Sequence, residues 1–324
     1  MKVIIPVAGK GTRMRPFTHT QPKSLLPVAG KPVIEHILDK VLPLEPTEII
    51  FVTGHLKARF EEEMRTRYPH VRCSFVEQKT QRGTADAIWT AREAFDEDVL
   101  IIFSDTIFDF PFTAALDRTD SGCFWAVRVP EPSRFGVLVI NNDKYLTKIV
   151  EKPQSFISDL ANIGLYYVKD TKLLAKGIQH VIDTVQPGEE LWLTDAFQYM
   201  VEHGAKIKIE TVTGWFDTGT TMQTLQSNRE LLDRYPGHAP AIPGVTIIPP
   251  VAIDPSVTLE NCTVGPHVSI APRAQIKNSK ISNSVIDQGA VIHDATLTDS
   301  IVGVEAHIHG IIAKVNLGDH SRID

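Results

Sequence analysis

The segment VIIPVAGKGTRMRPFTHTQPKSLLPVAGKP occupies residues 3–32 of the chain. Its apolar start predicts a buried β-strand, which runs into a loop that contains Gly9 and Gly11. Because glycine has no Cβ, the backbone N–H groups of such a loop can approach a polyphosphate closely, and Arg13 and Lys23 would neutralise its charge. We therefore expect a triphosphate-binding loop after the first strand of an α/β domain.

This loop follows neither of the two common phosphate-binding patterns. A dinucleotide-binding fingerprint would have glycine in place of Met14, and a P-loop would have serine or threonine in place of Gly11. We therefore expect a different class of nucleotide-binding site.

Residues 2 to about 234 alternate short runs rich in Val and Ile with helical patterns. This alternation predicts βαβ units around a Rossmann-like, mostly parallel sheet that is buried on both faces. The predicted strands are Lys2–Pro6, Glu48–Thr53, Arg72–Glu77, Val99–Ser104, Cys123–Val129, Gly136–Ile140, Thr147–Val150 and Gly164–Val168. The predicted helices include Pro32–Leu42, Leu191–Glu202 and Thr220–Tyr235.

The pattern changes at residues 236–244, PGHAPAIPG, after which no helical period remains. Each unit of about six residues then supplies one large aliphatic side chain, which would face the axis of a three-sided coil. These residues are Ile247, Ile253, Leu259, Val264, Ile270, Ile276, Ile281, Ile286, Ile292, Leu297, Val302 and Ile308. About eighteen residues per coil allow roughly four coils.

The repeat resembles the left-handed parallel β-helix of hexapeptide-repeat proteins, and a loosely patterned antiparallel domain is the alternative. We thus expect an α/β domain at residues 1–235, a linker at 236–244 and a left-handed β-helix at 245–324.

The composition is that of an ordinary globular protein, with 43% hydrophobic and 22% charged residues. The net charge of -6, from 33 basic and 39 acidic residues, offers no basic footprint for nucleic acid. The first apolar run is too short to span a membrane and lacks the cleavage site of a signal peptide. The spacing of Cys73, Cys123 and Cys262 suggests neither a disulfide framework nor zinc. We expect a cytoplasmic protein without a nucleic-acid or membrane partner.

The segment FVEQKTQRGTADAI, residues 75–88, predicts a strand end, a loop and a helix that begins near Gly83. Gln78 carries an amide donor and a carbonyl acceptor, so its side chain can pair with the O4 and N3–H edge of uracil or thymine. Gln78 is therefore the candidate base-binding residue.

An apolar strand in VLIIFSDTIF, residues 99–108, ends at Asp105. Ligands of open α/β sheets lie at the carboxyl ends of strands, so a carboxylate there is well placed to bind Mg²⁺. Its suggested partner is Asp217 in GWFDTGT, 112 residues later. Two carboxylates that meet only through folding suit a hard cation whose other ligands are phosphate oxygens.

Together these motifs resemble the signature of the nucleoside-diphosphate-sugar pyrophosphorylases, which are sugar-phosphate nucleotidyltransferases. The matching residues are Gly9, Gly11, Thr12, Arg13, Pro16, Thr18, Pro22 and Lys23. The resemblance covers nearly all of residues 2–234 and is strongest to glucose-1-phosphate thymidylyltransferases and uridylyltransferases. It implies a Mg²⁺-dependent enzyme that transfers a nucleotidyl group from an NTP, UTP or dTTP, to a sugar 1-phosphate such as glucose 1-phosphate.

The resemblance also implies roles for individual residues. The nucleotide would contact Ala8, Gly9, Gly11, Thr12, Arg13, Gln78, Gly83 and Thr84. The sugar phosphate would contact Lys23, Gly136, Glu151, Lys152, Asn162 and Gly164. The catalytic residues would be Arg13, Lys23, Asp105 and Asp217, and the two aspartates would bind the metal.

Two residues depart from the family pattern. Many thymidylyltransferases have leucine at the position of Thr84, whereas the threonine found here is the version seen in uridylyl, guanylyl and adenylyl transferases. Ser104 replaces the glycine that usually precedes the first metal aspartate. A guanylyl or adenylyl transferase of the same fold is therefore an alternative.

Two further alternatives concern the whole protein. A bifunctional enzyme would also transfer an acetyl group from acetyl-CoA to an amino-sugar phosphate, but the predicted coils are few and no motif selects a histidine for that reaction. The candidate histidines are His293, His307, His309 and His320. A non-catalytic subunit would have lost its charged residues, which are present here. The β-helix and the family habit imply a homo-oligomer.

Overall fold

The chain folds as two compact units in the computed structural model, which describes residues 1–109, 121–237 and 241–324. The sheet unit comprises Met1–Gly9 and Asp39–Trp215, and the β-helix unit comprises Lys10–Leu38 and Phe216–Asp324. Residues 238–240 of the predicted linker lie outside the described residues.

A nine-stranded mixed sheet forms the core of the sheet unit. Seven strands follow one another in the order Leu146–Glu151, Gly136–Ile140, Leu160–Val168, Val99–Ile102, Lys2–Pro6, Glu48–Thr53 and Cys73–Glu77. The other two, Gly122–Arg128 and Ile207–Thr211, pair with each other, and the former also pairs with Leu160–Val168. Two more short strands are Thr106–Asp109 and Gly214–Asp217, the second of which leads into the β-helix unit.

The parallel part of this sheet begins with the strand that opens the chain. Lys2–Pro6 runs parallel to Val99–Ile102 on one side and to Glu48–Thr53 on the other, and Cys73–Glu77 continues the parallel order. The Val, Ile and Leu side chains of the three central strands are almost fully buried, as a sheet covered on both faces requires. The Rossmann-like α/β class is confirmed.

Most strand pairs in the other part of the sheet are antiparallel, although Ile207–Thr211 runs parallel to Gly122–Arg128. Leu160–Val168 runs antiparallel to each of its neighbours, and Gly136–Ile140 forms a hairpin with Leu146–Glu151. In the hairpin turn, Asn141 Oδ1 accepts a hydrogen bond from Tyr145 N–H at 2.9 Å. A parallel crossover would need about a dozen residues or more.

Six α-helices occur in the described residues, and their bounds are Val33–Val41, Lys57–Arg67, Thr84–Thr90, Thr171–Thr184, Leu193–Glu202 and Thr221–Arg234. The three helices predicted from the sequence begin and end within two residues of these bounds. Asp170 caps one helix by accepting a hydrogen bond from Leu173 N–H at 3.0 Å, as short polar side chains do at helix starts. None of the helices described is both long enough and apolar enough to cross a membrane.

One predicted strand is longer than expected because a glycine interrupts its pattern. The strand predicted at Gly164–Val168 begins at Leu160, and its pairing register shifts between Asn162 and Tyr166. Gly164 has φ +77, and a Cβ there would lie 2.9 Å from the Phe103 side chain. A glycine at such a shift is typical of a β-bulge.

Three parallel sheets of five strands each form the C-terminal part of the β-helix unit. The first sheet contains Thr246–Ile247, Thr263–Val264, Lys280–Ser282, Thr296–Thr298 and Ile312–Ala313. The second contains Val251–Ile253, Val268–Ile270, Ser284–Ile286, Ile301–Val302 and Asn316–Leu317. The third contains Thr258–Glu260, Gln275–Lys277, Val291–His293, His307–His309 and Arg322–Ile323. Successive strands alternate among the sheets, which fits the expected left-handed β-helix.

The aliphatic residues predicted to face the axis form one apolar cluster. Ten of the twelve are buried, and the other two, Ile247 and Ile253, are partly buried and pack against them. The repeat was therefore correctly identified from its spacing.

The coils are shorter than the sequence suggested. Leu259 pairs with Ile276, Ile276 with Ile292, and Ile292 with Ile308, which are steps of 17, 16 and 16 residues. The last step, from Ile308 to Ile323, is 15 residues. Because each step falls short of eighteen residues, five coils form where roughly four were expected.

One corner of the coil carries a ladder of amide and carboxyl side chains. Asn261, Asn278 and Asp294 have φ values of 50, 51 and 52, in the left-handed region that Asn and Asp tolerate. Asn261 Nδ2 donates to Asn278 Oδ1, and Asn278 Nδ2 donates to Asp294 Oδ1, both at 3.0 Å. The tight corner is thus stabilised from one coil to the next.

Candidate active site

Ala8 and Gly9 follow the first strand of the sheet unit. Ala8 O accepts hydrogen bonds from His55 N–H and from the Gln81 amide, so Ala8 is firmly held. Gly9 is exposed, and a Cβ built on it would meet no described atom within 4 Å. The backbone at Gly9 is therefore accessible to a ligand.

Gly9, Gln78 and Asp105 each follow a parallel strand and therefore lie along one edge of the sheet. Ser104, which stands where glycine was expected, donates from Oγ to Pro6 O at 2.8 Å. The serine thus ties the turn before Asp105 to the end of the first strand. Such an edge is where open α/β sheets bind ligands.

Gln78, the candidate base-binding residue, is buried at this edge of the sheet. Its side chain is only 6% exposed, and its backbone N–H donates to Thr53 O at 2.8 Å. Its Nε2 donates to Gly83 O at 3.2 Å and to Asp86 Oδ2 at 2.8 Å. The structure therefore brings Gln78 and Gly83 together, as the sequence predicts.

Gly83 and Thr84 contact the segment before the helix Leu193–Glu202. Gly83 has φ +133, and a Cβ on it would lie 2.4 Å from Leu191 O, so no larger residue fits. Thr84 Oγ1 accepts a hydrogen bond from Leu193 N–H at 2.9 Å. Thr84 thus supports the turn through its hydroxyl, which a leucine could not do.

Three of the residues predicted to contact the sugar phosphate lie close together around Gly136. A Cβ on Gly136 would lie 3.1 Å from Glu151 Oε2, 3.3 Å from Asn162 Nδ2 and 3.2 Å from Thr194 Cγ2. The predicted residues Gly136, Glu151 and Asn162 therefore surround one small space. Thr194, in the helix Leu193–Glu202, was not predicted.

Glu151 is the strongest candidate there for binding hydroxyl groups. Burial raises the pKa of its carboxyl group, and the charge of Asp195 adds to this shift. Lys152 and a hydrogen bond from Thr194 Oγ1, at 3.3 Å, act in the opposite direction. Because a carboxylate can accept several hydrogen bonds, this partly buried group retains acceptor capacity for a ligand.

Lys152 has an unusual backbone and an aromatic neighbour. Its φ is +40, and its backbone N–H donates to Phe135 O at 3.0 Å. Its Nζ lies 3.7 Å from Glu151 Oε1 and 4.2 Å from the centre of the Trp192 ring. Trp192 was not predicted, because a tryptophan before a helix has no distinctive spacing.

The Asn162 side chain forms hydrogen bonds with Tyr166 and Gly164. Its Nδ2 donates to Tyr166 Oη at 2.5 Å, and its Oδ1 accepts from Gly164 N–H at 3.1 Å. Burial raises the pKa of the Tyr166 hydroxyl, and the negative charges of Glu151 and Asp105 contribute. Asp105 therefore lies close enough to Tyr166 to act on it electrostatically, and Gly164 forms the bulge.

Residues 10–26, here called the cationic loop, belong to the β-helix unit and contain three single turns. The turns are Thr12–Met14, Phe17–His19 and Lys23–Leu25. Gly11 has φ +58, and a Cβ on it would lie 2.8 Å from Thr18 Cγ2 and 3.4 Å from Lys23 Cβ. Thr18 Oγ1 donates to Gly11 O at 2.8 Å. Glycine is therefore required at position 11, and Lys23 lies beside it.

Arg13 and Asp217 lie near each other in the β-helix unit. A Cβ on Gly219 would be 2.8 Å from Asp217 Oδ1 and 3.6 Å from Arg13 Nη2. Asp217 Oδ1 accepts from Gly219 N–H at 2.6 Å, and Asp217 Oδ2 accepts from the Gln223 amide. The structure thus places two of the predicted catalytic residues near each other. It also shows Gln223 bound to Asp217, a contact that the sequence did not indicate.

The cationic loop packs against an apolar cluster of its own unit, here called the seat of the loop. Met14, Phe17 and Leu26 from the loop are buried against three residues elsewhere in the same unit. These three residues are Leu225, Val285 and Ile301. Part of the β-helix surface therefore supports the loop that carries Arg13 and Lys23.

The two predicted metal ligands are divided between the units, with Asp105 in the sheet unit and Asp217 in the β-helix unit. Over residues 1–109, 121–237 and 241–324, no three or more His, Cys, Asp or Glu side chains are grouped to hold a metal. Two carboxylates are nevertheless the type of hard oxygen donor that Mg²⁺ uses when phosphate oxygens supply further ligands. Each of the two aspartates is therefore of the donor type that Mg²⁺ prefers.

A family model described as nucleotidyl transferase matches residues 2–234 of the chain. The bifunctional protein GlmU of Methanocaldococcus jannaschii is 32% identical over 240 residues, which are 72% of this chain and 55% of that protein. The chain thus spans about half the length of that relative.

Two other comparisons cover more of the matched protein. A glucose-1-phosphate thymidylyltransferase of Streptomyces griseus is 26% identical over 99% of both chains. A solved structure of UDP-glucose pyrophosphorylase complexed with UDP-glucose has a TM-score of 0.63 and 22% identity, over 72% of this chain and 98% of the other, and supports the fold. With its opening loop, its sheet and its family match in agreement, the chain belongs to the nucleotidyl transferase family.

Proposed function

We propose that this chain transfers a nucleotidyl group from UTP or dTTP to a sugar 1-phosphate, glucose 1-phosphate above all, and releases pyrophosphate. One observation carries the proposal: the sheet unit brings Gln78 and Gly83 together in one group, and Gly136, Glu151 and Asn162 together in another. In the proposed function the first group is the base side and the second is the sugar side. Membership of the nucleotidyl transferase family and relatives named for this chemistry support it.

The strand register supports a single edge for both groups. Leu165 pairs with Ile102, and Asn162 lies three residues beyond that pair in the direction in which Asp105 follows Ile102. Asn162 is thus on the same edge of the sheet as Asp105. A nucleotide and a sugar phosphate bound along this edge would have their phosphates between the two groups.

The reaction needs no activated side-chain nucleophile. A phosphate oxygen of the sugar 1-phosphate is already an anion, so it attacks the α-phosphorus of the triphosphate while pyrophosphate leaves on the opposite side. The main obstacle is repulsion between two polyanions, and catalysis therefore depends on positioning and charge neutralisation.

Each proposed residue has one task in this scheme. Arg13 would neutralise the triphosphate, while Lys23 and Lys152 would neutralise the sugar phosphate. Asp105 and Asp217 would hold Mg²⁺, which when bound supplies further positive charge to the phosphate oxygens.

Gln78 and Gly83 would bind the base. Gln78 Oε1 and Gly83 N–H have no hydrogen-bond partner among the residues that the structure describes. They offer one acceptor and one donor, and uracil and thymine present the complementary N3–H and O4. The pairing edge is the same for both bases, so it favours neither UTP nor dTTP.

We also propose the organisation of the whole protein. Residues 1–235 would be the catalytic domain, 236–244 the linker, and 245–324 a β-helix that assembles a cytoplasmic homo-oligomer. The end strands of the three stacked sheets pair on one side only within the described residues, which supports a contact between copies. Light scattering on the purified protein would test this, and a monomer would contradict it.

A matrix of triphosphates and sugar 1-phosphates tests the activity. UTP, dTTP, CTP, GTP and ATP are each mixed with several sugar 1-phosphates and Mg²⁺, and pyrophosphate release is measured. We expect the highest rates with UTP or dTTP and glucose 1-phosphate, and loss of activity in EDTA. Absence of pyrophosphate from every pair would contradict the proposal and favour a non-catalytic subunit, whereas a purine preference would favour a guanylyl or adenylyl transferase.

A second candidate is a bifunctional enzyme that also acetylates an amino-sugar phosphate. The match to a protein named as bifunctional and the five-coil β-helix favour it. Consumption of acetyl-CoA in the presence of glucosamine 1-phosphate would establish the second activity, and its absence would leave the nucleotidyl transfer alone.

A further inference from the structure

A buried carboxylate contacts the candidate base-binding glutamine. Asp86 lies in the helix Thr84–Thr90, is only 7% exposed, and accepts a hydrogen bond from Gln78 Nε2 on its Oδ2 at 2.8 Å. Its Oδ1 accepts from Arg82 Nε at 3.0 Å and from Arg82 Nη2 at 2.5 Å. Arg82 is half exposed, so it balances the buried charge from the solvent side.

These contacts determine which way the Gln78 amide points. The two hydrogens of its Nε2 have two acceptors, Asp86 Oδ2 and Gly83 O. An amide turned by half a revolution would direct its oxygen at a carboxylate and a carbonyl, which are acceptors only. In a buried place such contacts are strongly unfavourable, so the amide keeps one orientation. Gln78 Oε1, an acceptor, is what the side chain has left to offer a ligand.

We propose that Asp86 is a positioning residue that sets base specificity by holding Gln78 as a hydrogen-bond acceptor. A ring N–H, such as N3–H of uracil and thymine, donates to Gln78 Oε1. Cytosine has nearly the same size but presents a lone pair at N3, which Gln78 Oε1 repels. The selection is thus for nucleotides with a ring N–H, and it rests on the proposed function, in which Gln78 faces the base.

The ratio of kcat/KM for UTP to kcat/KM for CTP measures this selection. In Asp86→Asn the side chain keeps its size but can present either an oxygen or an NH₂ group, so the Gln78 amide is free to turn. We expect the UTP:CTP ratio to fall by about tenfold, the size of one hydrogen bond of this kind. Thermal unfolding is followed in parallel to confirm that the variant is folded.

Two substitutions serve as matched controls. Arg82→Gln removes the positive partner but keeps the Asp86 carboxylate, so the UTP:CTP ratio should stay as in the wild type. Asp183→Asn makes the same chemical change at an exposed carboxylate whose partner is Gln179, and it should leave both activities unchanged.

A variant without the glutamine amide tests whether Asp86 acts through Gln78. Gln78→Ala should itself lower the UTP:CTP ratio. Adding Asp86→Asn to Gln78→Ala should then have no further effect, because the amide that Asp86 orients is gone. An equal effect of Asp86→Asn in both backgrounds would overturn the inference.

The outcomes separate this inference from the proposed function. Pyrophosphate release with UTP, combined with an unchanged UTP:CTP ratio in Asp86→Asn, overturns the inference alone. A wild-type enzyme that uses CTP as readily as UTP also overturns it, without any variant. Failure of the wild type with every triphosphate instead overturns the proposed function. If Asp86→Asn does not fold, the double variant Arg82→Gln/Asp86→Asn, which removes both charges, provides the same measurement.

Discussion

The sheet unit and the β-helix unit carry different parts of the proposed chemistry. In the sheet unit, Gln78 and Glu151 are held by hydrogen bonds to buried or partly buried neighbours. In the β-helix unit, Arg13 and Lys23 lie on a loop that packs through apolar side chains. Hydrogen-bond recognition needs atoms fixed to a fraction of an ångström, whereas charge acts over longer distances. We therefore expect changes in the sheet unit to alter specificity, and changes in the cationic loop to alter turnover.

Removal of a charge from the cationic loop should have the largest effect. We expect Lys23→Ala to lower kcat by about two to three orders of magnitude, because the loss of one preorganised electrostatic contact costs about that much. The measurement is pyrophosphate release under saturating substrates, with Lys176→Ala, a substitution on the helix Thr171–Thr184, as the control. Near-normal pyrophosphate release in a folded Lys23→Ala protein would contradict the assignment.

Asp105→Ala tests whether removal of a charge from the sheet unit also lowers turnover. Asp105 lies in the sheet unit but is proposed to act through charge, so we expect a loss of kcat of the same order as in Lys23→Ala. A variant that changed only the choice of substrate, with kcat unaffected, would contradict the proposal that Asp105 acts through charge.

Glu151→Gln should alter the use of the sugar phosphate. The amide keeps the shape of the side chain but loses the charge that accepts paired hydroxyl groups, so kcat/KM for the sugar 1-phosphate should fall by about tenfold to a hundredfold. KM for the triphosphate should not change. A loss that appeared equally in both KM values would indicate a structural defect, and thermal unfolding checks for one.

The pH dependence of the wild type sharpens the same prediction. Burial raises the pKa of Glu151, so this residue takes up its proton at a higher pH than an exposed glutamate. As the pH falls through that raised pKa, the carboxylate acceptor is lost and KM for the sugar phosphate should rise. The rise should be absent in Glu151→Gln, and its persistence there would assign it to another group.

The apolar seat of the loop can be tested within one β-helix. Ile301 packs under the cationic loop, whereas Ile286 faces the β-helix axis, and both are buried. Either isoleucine-to-alanine change should lower stability by about 2–5 kcal/mol. Only Ile301→Ala should also raise KM for the triphosphate, by several-fold, because it loosens the loop that carries Arg13. Equal effects of both variants on KM would show that the seat has no special role.

These two regions also differ in how far the sequence predicted them. The β-helix follows from one rule, an aliphatic residue about every six positions, and all twelve predicted residues contribute to its core. The number of coils was underestimated, because corners such as Asn278 close the coil with fewer residues than the repeat suggests. The opening strand and its glycine loop were predicted equally well from the sequence. The glycine at position 11 is required because a Cβ there would clash with Thr18.

The supporting residues of the site were the part that the sequence did not reveal. Thr194, Trp192 and Gln223 have common residue types in unremarkable positions, and their roles arise from contacts between distant segments. Asp86 is a similar case, since an aspartate in the first turn of a helix usually needs no further explanation. Hydrogen bonds across the fold, rather than spacing along the chain, identify these residues.

The smallest effect is expected from alkylation of the cysteines, which compares the two units directly. Burial raises the pKa of Cys123 to about 12, with a smaller contribution from the charge of Glu210. Cys262, in the β-helix unit, is buried and donates its S–H to Glu260 O at 3.0 Å. Burial also raises the pKa of Cys73, although this thiol is partly exposed.

Because the thiolate is the reactive form, iodoacetamide at pH 8 should label no cysteine of the native protein other than Cys73. Activity should remain unchanged. Mass spectrometry of the labelled protein gives the position, and the protein in guanidinium chloride, where all three thiols react, is the control. Equal protection of Cys123 and Cys262 would show that both units stay closed on the time scale of the reaction. Labelling of Cys262 before Cys123 would show that the β-helix opens first.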